Sequence, residues 1–202
     1  MINNFIKFSL FFLCYSGLAT SSEMWLVTPL SKYQLEVNVK ELGGLSALHI
    51  NDNGNGFLAL SDKARFFQGV ISRNPSGAIK KLEIKKVGSL KNSDGVTLTG
   101  RNIDSESIVA IEPKGYYISF ESNNRIMMHT DLESAGKFLP KHSDFSLFGF
   151  NKGIEALAKD TNGWLYAIPE KPPDGREKYP IYKLKSGEWE IFARFLPSNN
   201  LL

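Results

Sequence analysis

Acidic side chains recur at a nearly fixed spacing in three places along this chain. Each place has a polar or acidic residue in one short apolar run and an acid that closes a second run. The pairs are Ser46 with Asp62, Glu106 with Glu121, and Glu155 with Glu170, which are 16, 15 and 15 residues apart. Carboxylate oxygens are the ligands that hard cations prefer, and carboxylates gathered in one place raise each other's pKa values. If the pairs meet, they can bind a cation or transfer protons.

The segments around these pairs are three copies of one unit. The closing runs cover 56–61, 116–120 and 164–168, and each begins at or just after a Gly. Short β-rich runs that follow a Gly turn are typical of hairpin strands. After the first residues, no long window has helical periodicity free of Gly or Pro. The chain is therefore predicted to be built mostly from strands.

The spacing between the copies favours a propeller. The polar residues that open them are 60 and then 49 residues apart, about the length of a four-stranded blade. The predicted fold class is all-β and β-propeller-like, with about three blade units and therefore an incomplete propeller. Outer strands are predicted at 69–72, 82–87, 125–130, 181–184 and 189–192. An antiparallel sandwich would hold the same hairpins and stays the alternative.

The hairpin geometry predicts where the acids meet. In an antiparallel hairpin the start of one strand lies beside the end of the next, so each pair should share a sheet edge. In a propeller, equivalent edges converge on one mouth of the central channel. Gathered acids repel unless a cation or basic groups neutralise them. Basic residues lie close to the acids in sequence at Arg65, Arg101, Arg125 and Lys152, so ordinary ion pairs are the alternative to a functional site.

The first residues have the pattern of an export signal. One Lys precedes an almost wholly apolar run that ends in small residues at Ala19, which predicts a signal peptide over 1–19 and a mature domain over 20–202. The alternative is an uncleaved anchor, but the run is shorter than the about 20 residues of a spanning helix. The predicted location is the periplasm or the exterior, with no stable membrane span after cleavage.

The charge distribution does not favour nucleic acid as a partner. The formal net charge is only +3, and the basic residues are spread along the chain. The densest stretch, 80–86, mixes apolar and basic positions as a solvated edge strand does. The only cysteine, Cys14, lies in the predicted signal, so the mature domain contains no disulfide.

Five motifs, in order along the chain, resemble the family named esterase-like activity of phytase. They lie at 43–48, 60–66, 104–108, 119–125 and 151–157, and the resemblance extends roughly from 40 to 195. It implies an exported propeller hydrolase that acts on phosphate esters. It also implies that an acidic mouth is formed by Asp62, Asp104, Glu106, Glu121, Glu155 and Glu170. The sequence departs from the family at Ser107, where a Gly is usual, and in ending at Leu202, so a C-terminal truncation is expected.

The leading hypothesis is a calcium-assisted phosphoesterase with a small phosphorylated substrate. The proposed catalytic residues are Asp104, Glu106 and Glu155. The proposed calcium ligands are Asp62, Glu121 and Glu170. The proposed substrate-binding residues are Arg65, Arg101, Arg125 and Lys152.

Two other functions stay open from the sequence. One is a non-catalytic binding propeller or an inactive fragment, in which the same acids and bases form salt bridges. The other is a serine esterase that uses Ser46 with His49. Self-association is a further expectation, because three blades leave a sheet edge exposed.

Overall fold

The protein is all-β in a computed structural model that describes residues 32–35, 39–149 and 152–196. The predicted signal peptide at 1–19 lies outside these residues. Within them there is no α-helix, and no helix is long and apolar enough to cross a membrane. The strands, numbered in chain order, are β1 Leu45–Ile50, β2 Gly56–Ser61, β3 Arg65–Arg73, β4 Ile79–Ser89, β5 Ser105–Ala110, β6 Tyr116–Phe120, β7 Arg125–His129, β8 Lys137–Phe138, β9 Ile154–Lys159, β10 Leu165–Pro169, β11 Tyr179–Lys185 and β12 Glu188–Phe195.

The strands form three separate four-stranded antiparallel sheets. The first sheet contains β1 to β4, the second β5 to β8 and the third β9 to β12, each in simple sequential order. The first strands of the sheets are neighbours, because β1 contacts β5 and β5 contacts β9. This is the arrangement of propeller blades around an axis. The prediction of an incomplete propeller-like fold is confirmed, and the sheets do not form two facing layers of a sandwich.

The predicted outer strands are all present, and four of the five are longer than the sequence indicated. The segments 69–72 and 82–87 lie within β3 and β4, and 181–184 and 189–192 lie within β11 and β12. The segment 125–130 corresponds to β7. The outermost strand of the second sheet, β8, was not predicted. It has only two residues, which is too short for an alternation of apolar and polar side chains to be recognised.

Apolar side chains fill the two spaces between neighbouring sheets. Leu60 of the first sheet and Phe120 of the second are fully buried in one cluster, together with Met127. Ile126, the residue before Met127, packs instead in the second cluster with Tyr182 of the third sheet. The alternation follows the two-residue period of a strand, so the middle sheet is covered on both faces. Each fully buried side chain of this size contributes about 1.5 to 3 kcal/mol.

Each sheet opens with the same irregularity. The pairing between the first two strands shifts by one residue, which makes Ser46, Glu106 and Glu155 the extra residues of three β-bulges. Next to each bulge the closing acid donates its main-chain N–H to the carbonyl two residues before the bulge. These bonds join Asp62 to Gly44, Glu121 to Asp104 and Glu170 to Gly153, all at 2.8 Å. Bulges redirect side chains and are frequent beside functional sites.

Serine hydroxyls link neighbouring sheets at this end. Ser46 Oγ donates to the carbonyl of Ser105 at 2.5 Å, and buried Ser105 Oγ donates to the carbonyl of Ser61 at 2.7 Å. Ser107 Oγ accepts a bond from Leu157 N–H at 3.0 Å. These bonds hold β5 against the first and third sheets, so they set the separation between the inner strands.

Replacement of Ser105 should therefore destabilise the fold. Ser105→Ala leaves the buried carbonyl of Ser61 without this donor, and we expect the free energy of unfolding to fall by about 1 to 3 kcal/mol. Denaturant unfolding measures this loss. Ser72→Ala, at an exposed position of β3, is the matched control and should change stability by under about 0.5 kcal/mol. Equal stability of the two variants would contradict a structural role for the Ser105 hydroxyl.

Candidate functional site

Five acids meet where the second and third sheets open. We call them the acidic cluster. Carboxylate oxygens of Asp104, Glu106 and Glu121 lie within 4.8 Å of one another, and so do those of Glu121, Glu155 and Glu170. Glu121 belongs to both triads, so the two groups form one continuous site. Either triad could hold a metal ion.

The local backbone explains how these side chains come together. Glu106 and Glu155 are the bulged residues of β5 and β9. Glu121 and Glu170 directly follow β6 and β10, and the main-chain bonds described above hold them beside the bulges. The contact between β5 and β9 then brings the two pairs together. The cluster depends on strand pairing within sheets and on packing between sheets.

Glu121 is the most buried member of the acidic cluster. Only 4% of its surface is exposed, and its Oε1 accepts a hydrogen bond from Gly153 N–H at 2.6 Å. A β-carbon at position 153 would overlap Asn124 Oδ1 and lie 3.1 Å from Cγ of Glu121. Position 153 therefore requires glycine for this close approach. Burial raises the pKa of Glu121, and the bond from Gly153 opposes that shift.

Two other members have strongly raised pKa values. Burial raises the pKa of Glu106 to about 8, with the negative charges of Glu155 and Asp104 acting in the same direction. Burial also raises the pKa of Glu155 to about 7, with contributions from Glu121 and Glu170. Without a cation, Glu106 keeps its proton at neutral pH and Glu155 is about half protonated. Carboxyls with strongly raised pKa values can hold and give up a proton near neutral pH, which suits them to proton transfer.

The predicted basic partners do not neutralise this cluster. Among the ion pairs of the described residues, none within 4.0 Å involves a member of the acidic cluster. Arg65 is half-buried at the start of β3, whereas Arg101 and Lys152 are exposed. The described part of the chain therefore gives no support to the alternative of ordinary ion pairs at this site.

Arg125 follows the acid Glu121 in sequence but has other contacts. Only 2% of its surface is exposed, and its guanidinium lies 4.2 Å from the ring centre of Phe120. Its Nη2 donates to the carbonyl of Asn102 at 2.6 Å, and its Nη1 donates to that of Asn123 at 3.2 Å. Burial lowers the pKa of Arg125 to about 10. This side chain anchors main-chain carbonyls.

The first sheet contributes differently from the other two. Asp62 is in neither acid triad, and its Oδ1 is buried without a hydrogen-bond partner among the described residues. Its carboxylate lies against Gly44, where φ is +59° and a β-carbon would overlap it. Ser46 takes the position of Glu106 and Glu155. Its hydroxyl donates to a main-chain carbonyl, an arrangement that differs from the serine–histidine contact of an esterase.

Sequence reasoning did not single out Gly153 as a site residue. The signal was present, because the bulge places Gly44, Asp104 and Gly153 at equivalent positions. Two of these are glycines, and only the second sheet carries an acid there. Asp104, which stands where the other two sheets have glycine, adds the fifth carboxylate to the cluster.

The fold and this site define a class of protein. It is a β protein built from propeller-like blades, with acidic side chains gathered at one end of the inner strands. A family model described as Phytase-like, esterase-like activity of phytase, matches residues 40–198. Because the match covers more than half of the chain, the protein belongs to this family and is phytase-like at the family level. A search of the curated proteins found no match to the chain.

The raised pKa of Glu106 predicts a pH-dependent change in stability. A carboxyl whose pKa is about 8 when folded and about 4.3 when unfolded binds more protons in the folded state between these values. Stability is therefore lost as pH rises through this range. Glu106→Gln removes this pH-dependent loss of stability. With chelator present, the variant should unfold at a higher temperature than the unmodified protein at pH 8.5. At pH 5 the two proteins should unfold at similar temperatures. We expect a gain of about 1 to 2 kcal/mol at pH 8.5, because solvent screens this half-buried group.

The matched control for this prediction is Glu177→Gln. Glu177 is exposed, and its replacement should leave the unfolding temperature unchanged at both pH values. The prediction fails if Glu106→Gln shifts the unfolding temperature equally at pH 5 and pH 8.5.

Proposed function

We propose that this protein is an exported hydrolase of small phosphate esters, in which the acidic cluster holds Ca²⁺. The observation that carries the proposal is the pair of acid triads that share buried Glu121. Membership of the family supports a hydrolase. The family is typically extracellular, and together with the signal pattern at 1–19 this supports a periplasmic or secreted location.

The donor set fits calcium. Calcium binds carboxylate oxygens at about 2.3 to 2.6 Å, so ligands of one ion lie up to about 5 Å apart. The oxygens of Glu121, Glu155 and Glu170 lie within 4.8 Å of one another, and these residues would hold the ion. When bound, the cation would neutralise phosphate oxygens and lower the pKa of a water ligand.

Glu106 and Asp104 are left for proton transfer. Burial and the neighbouring carboxylates raise the pKa of Glu106, which favours its protonated form, so Glu106 is suited to give a proton to the alcohol oxygen that leaves phosphorus. Asp104 would accept the proton that the attacking water loses. The water oxygen forms the new bond to phosphorus, and the proton on Asp104 later returns to Glu106 through solvent.

A non-catalytic binding propeller is the second candidate. The first sheet favours it, because Ser46 and Asp62 contribute no carboxylate to the triads. In that case the acids would bind a cation or ligand without turnover.

Hydrolysis assays separate the two candidates. With Ca²⁺, the purified protein should hydrolyse an aryl phosphate, and chelator should abolish this activity. Glu106→Gln and Glu155→Gln should each lower kcat at least about 100-fold, whereas Glu177→Gln should behave like the unmodified protein. An aryl acetate tests for general esterase activity. Phosphate release that persists in chelator, or no turnover by a folded protein with calcium, would refute the calcium phosphoesterase.

Calcium affinity should rise with pH. Glu155, with a pKa of about 7, must lose its proton to bind the ion, so protons compete with calcium below this pH. Between pH 6 and pH 8 we expect about a tenfold gain in affinity by titration calorimetry. Glu155→Gln should lose calcium binding, and Glu106→Gln should retain it while losing activity. Calcium affinity that is independent of pH would exclude Glu155 as a ligand.

A further inference from the structure

A cavity with basic and amide side chains lies beside the acidic cluster. Its volume is about 520 Å³, and its polar wall contains Ser122, Asn123, Asn124, Lys141 and His142. Phe145 and Phe148 form an apolar side. Among the described residues that line it there is no carboxylate. We call it the Lys141 cavity.

Lys141 lacks a carboxylate partner within 4.0 Å among the described ion pairs. Its Nζ donates to Asn123 Oδ1 at 3.3 Å. Burial and the nearby charge of Arg125 lower the pKa of Lys141, and Arg125 itself bonds only to carbonyls in this region. Lys141 and Arg125 are thus neighbouring cations without a carboxylate within 4.0 Å among the described ion pairs, which favours an anion beside Lys141.

His142 adds a second donor to this wall. Its Nδ1 accepts a hydrogen bond from Asp144 N–H at 3.1 Å, which leaves the proton of the neutral ring on Nε2. The carboxylate of Asp144 lies 4.0 Å from Nδ1 of His142. It is buried and accepts bonds from Tyr182 Oη at 3.0 Å and Arg176 Nη1 at 3.1 Å.

One turn connects the cavity to the acidic cluster. The turn runs from Glu121, whose carboxylate is in both triads, to Asn124. Ser122 has φ of +59°, an uncommon conformation for serine that is frequent at functional sites. Ser122 Oγ bonds to Asp104 Oδ2 at 3.4 Å, and Ser122 also lines the cavity. The turn that begins at Glu121 of the acidic cluster thus also lines the Lys141 cavity.

We propose that the Lys141 cavity is a binding subsite for a phosphate-sized oxyanion, separate from the acidic cluster. Lys141 Nζ supplies the charge, and His142 with the side-chain amides of Asn123 and Asn124 supplies hydrogen bonds. The ligand is either a phosphate group of a substrate or free phosphate. The site needs no cation in the acidic cluster, so it can be tested apart from the proposed hydrolysis.

Titration with inorganic phosphate tests this subsite. The full protein is titrated at low ionic strength with chelator present, which removes any contribution of a metal. We expect saturable binding that Lys141→Gln weakens at least about tenfold, the effect of losing one charged hydrogen bond. Asn123→Asp, which places a carboxylate beside Lys141, should weaken binding by a similar factor without removing a lysine.

Lys80→Gln is the matched control. Lys80 is an exposed residue of β4, and its replacement removes the same charge outside the cavity, so affinity should not change. Circular dichroism and unfolding temperature confirm that each variant is folded. The absence of phosphate binding, or an equal loss in Lys80→Gln and Lys141→Gln, would overturn the proposal.

A parallel titration with glycerol phosphate identifies the source of the anion. Tighter binding than inorganic phosphate assigns the subsite to an esterified group, and weaker binding assigns it to the free ion. Either result supports the subsite, provided that Lys141→Gln weakens the binding. If phosphate binds as expected and no ester is hydrolysed with calcium, the subsite stands and the proposed hydrolase fails.

Discussion

The acidic cluster depends on one main-chain interaction that occurs in every sheet. The residue that closes the second strand donates its N–H to a carbonyl two residues ahead of a bulge. The bulge inserts one extra residue, which interrupts the regular alternation of side chains. A shift of one residue moves a side chain to the other face of a strand. Without the bulge, the side chains of Glu106 and Glu155 would keep the regular alternation of β5 and β9. The carboxylate pairs of the second and third sheets would then not form.

The electrostatic cost of this arrangement is spread over several groups. Glu121 gains a hydrogen bond from Gly153, while the pKa values of Glu106 and Glu155 rise to about 8 and about 7, which favours their neutral forms. Packing between sheets and the hydroxyl bonds of Ser105 and Ser107 offset the remaining repulsion. A local conflict of this kind, supported by a regular fold, is typical of functional sites.

The sequence predicted the strand pairs well because their information is local. Apolar runs, Gly turns and a constant spacing are all contained within one hairpin, so β5, β6, β9 and β10 could be located. Distances between sheets are not encoded in this way. The sequence placed six acids in one mouth, but the structure gathers Asp104, Glu106, Glu121, Glu155 and Glu170 and leaves Asp62 outside both triads. Likewise, the position of a basic residue after an acid does not predict whether its side chain is buried. Arg125 follows Glu121 in sequence, but its guanidinium packs on the ring of Phe120.

Arg125 nevertheless has a part in the site through the turn that precedes it. Its two bonds fix the carbonyl of Asn123, two residues after Glu121, and the carbonyl of Asn102, two residues before Asp104. A guanidinium is rigid and has donors in a fixed fork, so it restrains both backbone segments at once. The same charge lies close enough to Lys141 to lower its pKa. Arg125 thus anchors the backbone of the turn that connects the acidic cluster to the Lys141 cavity.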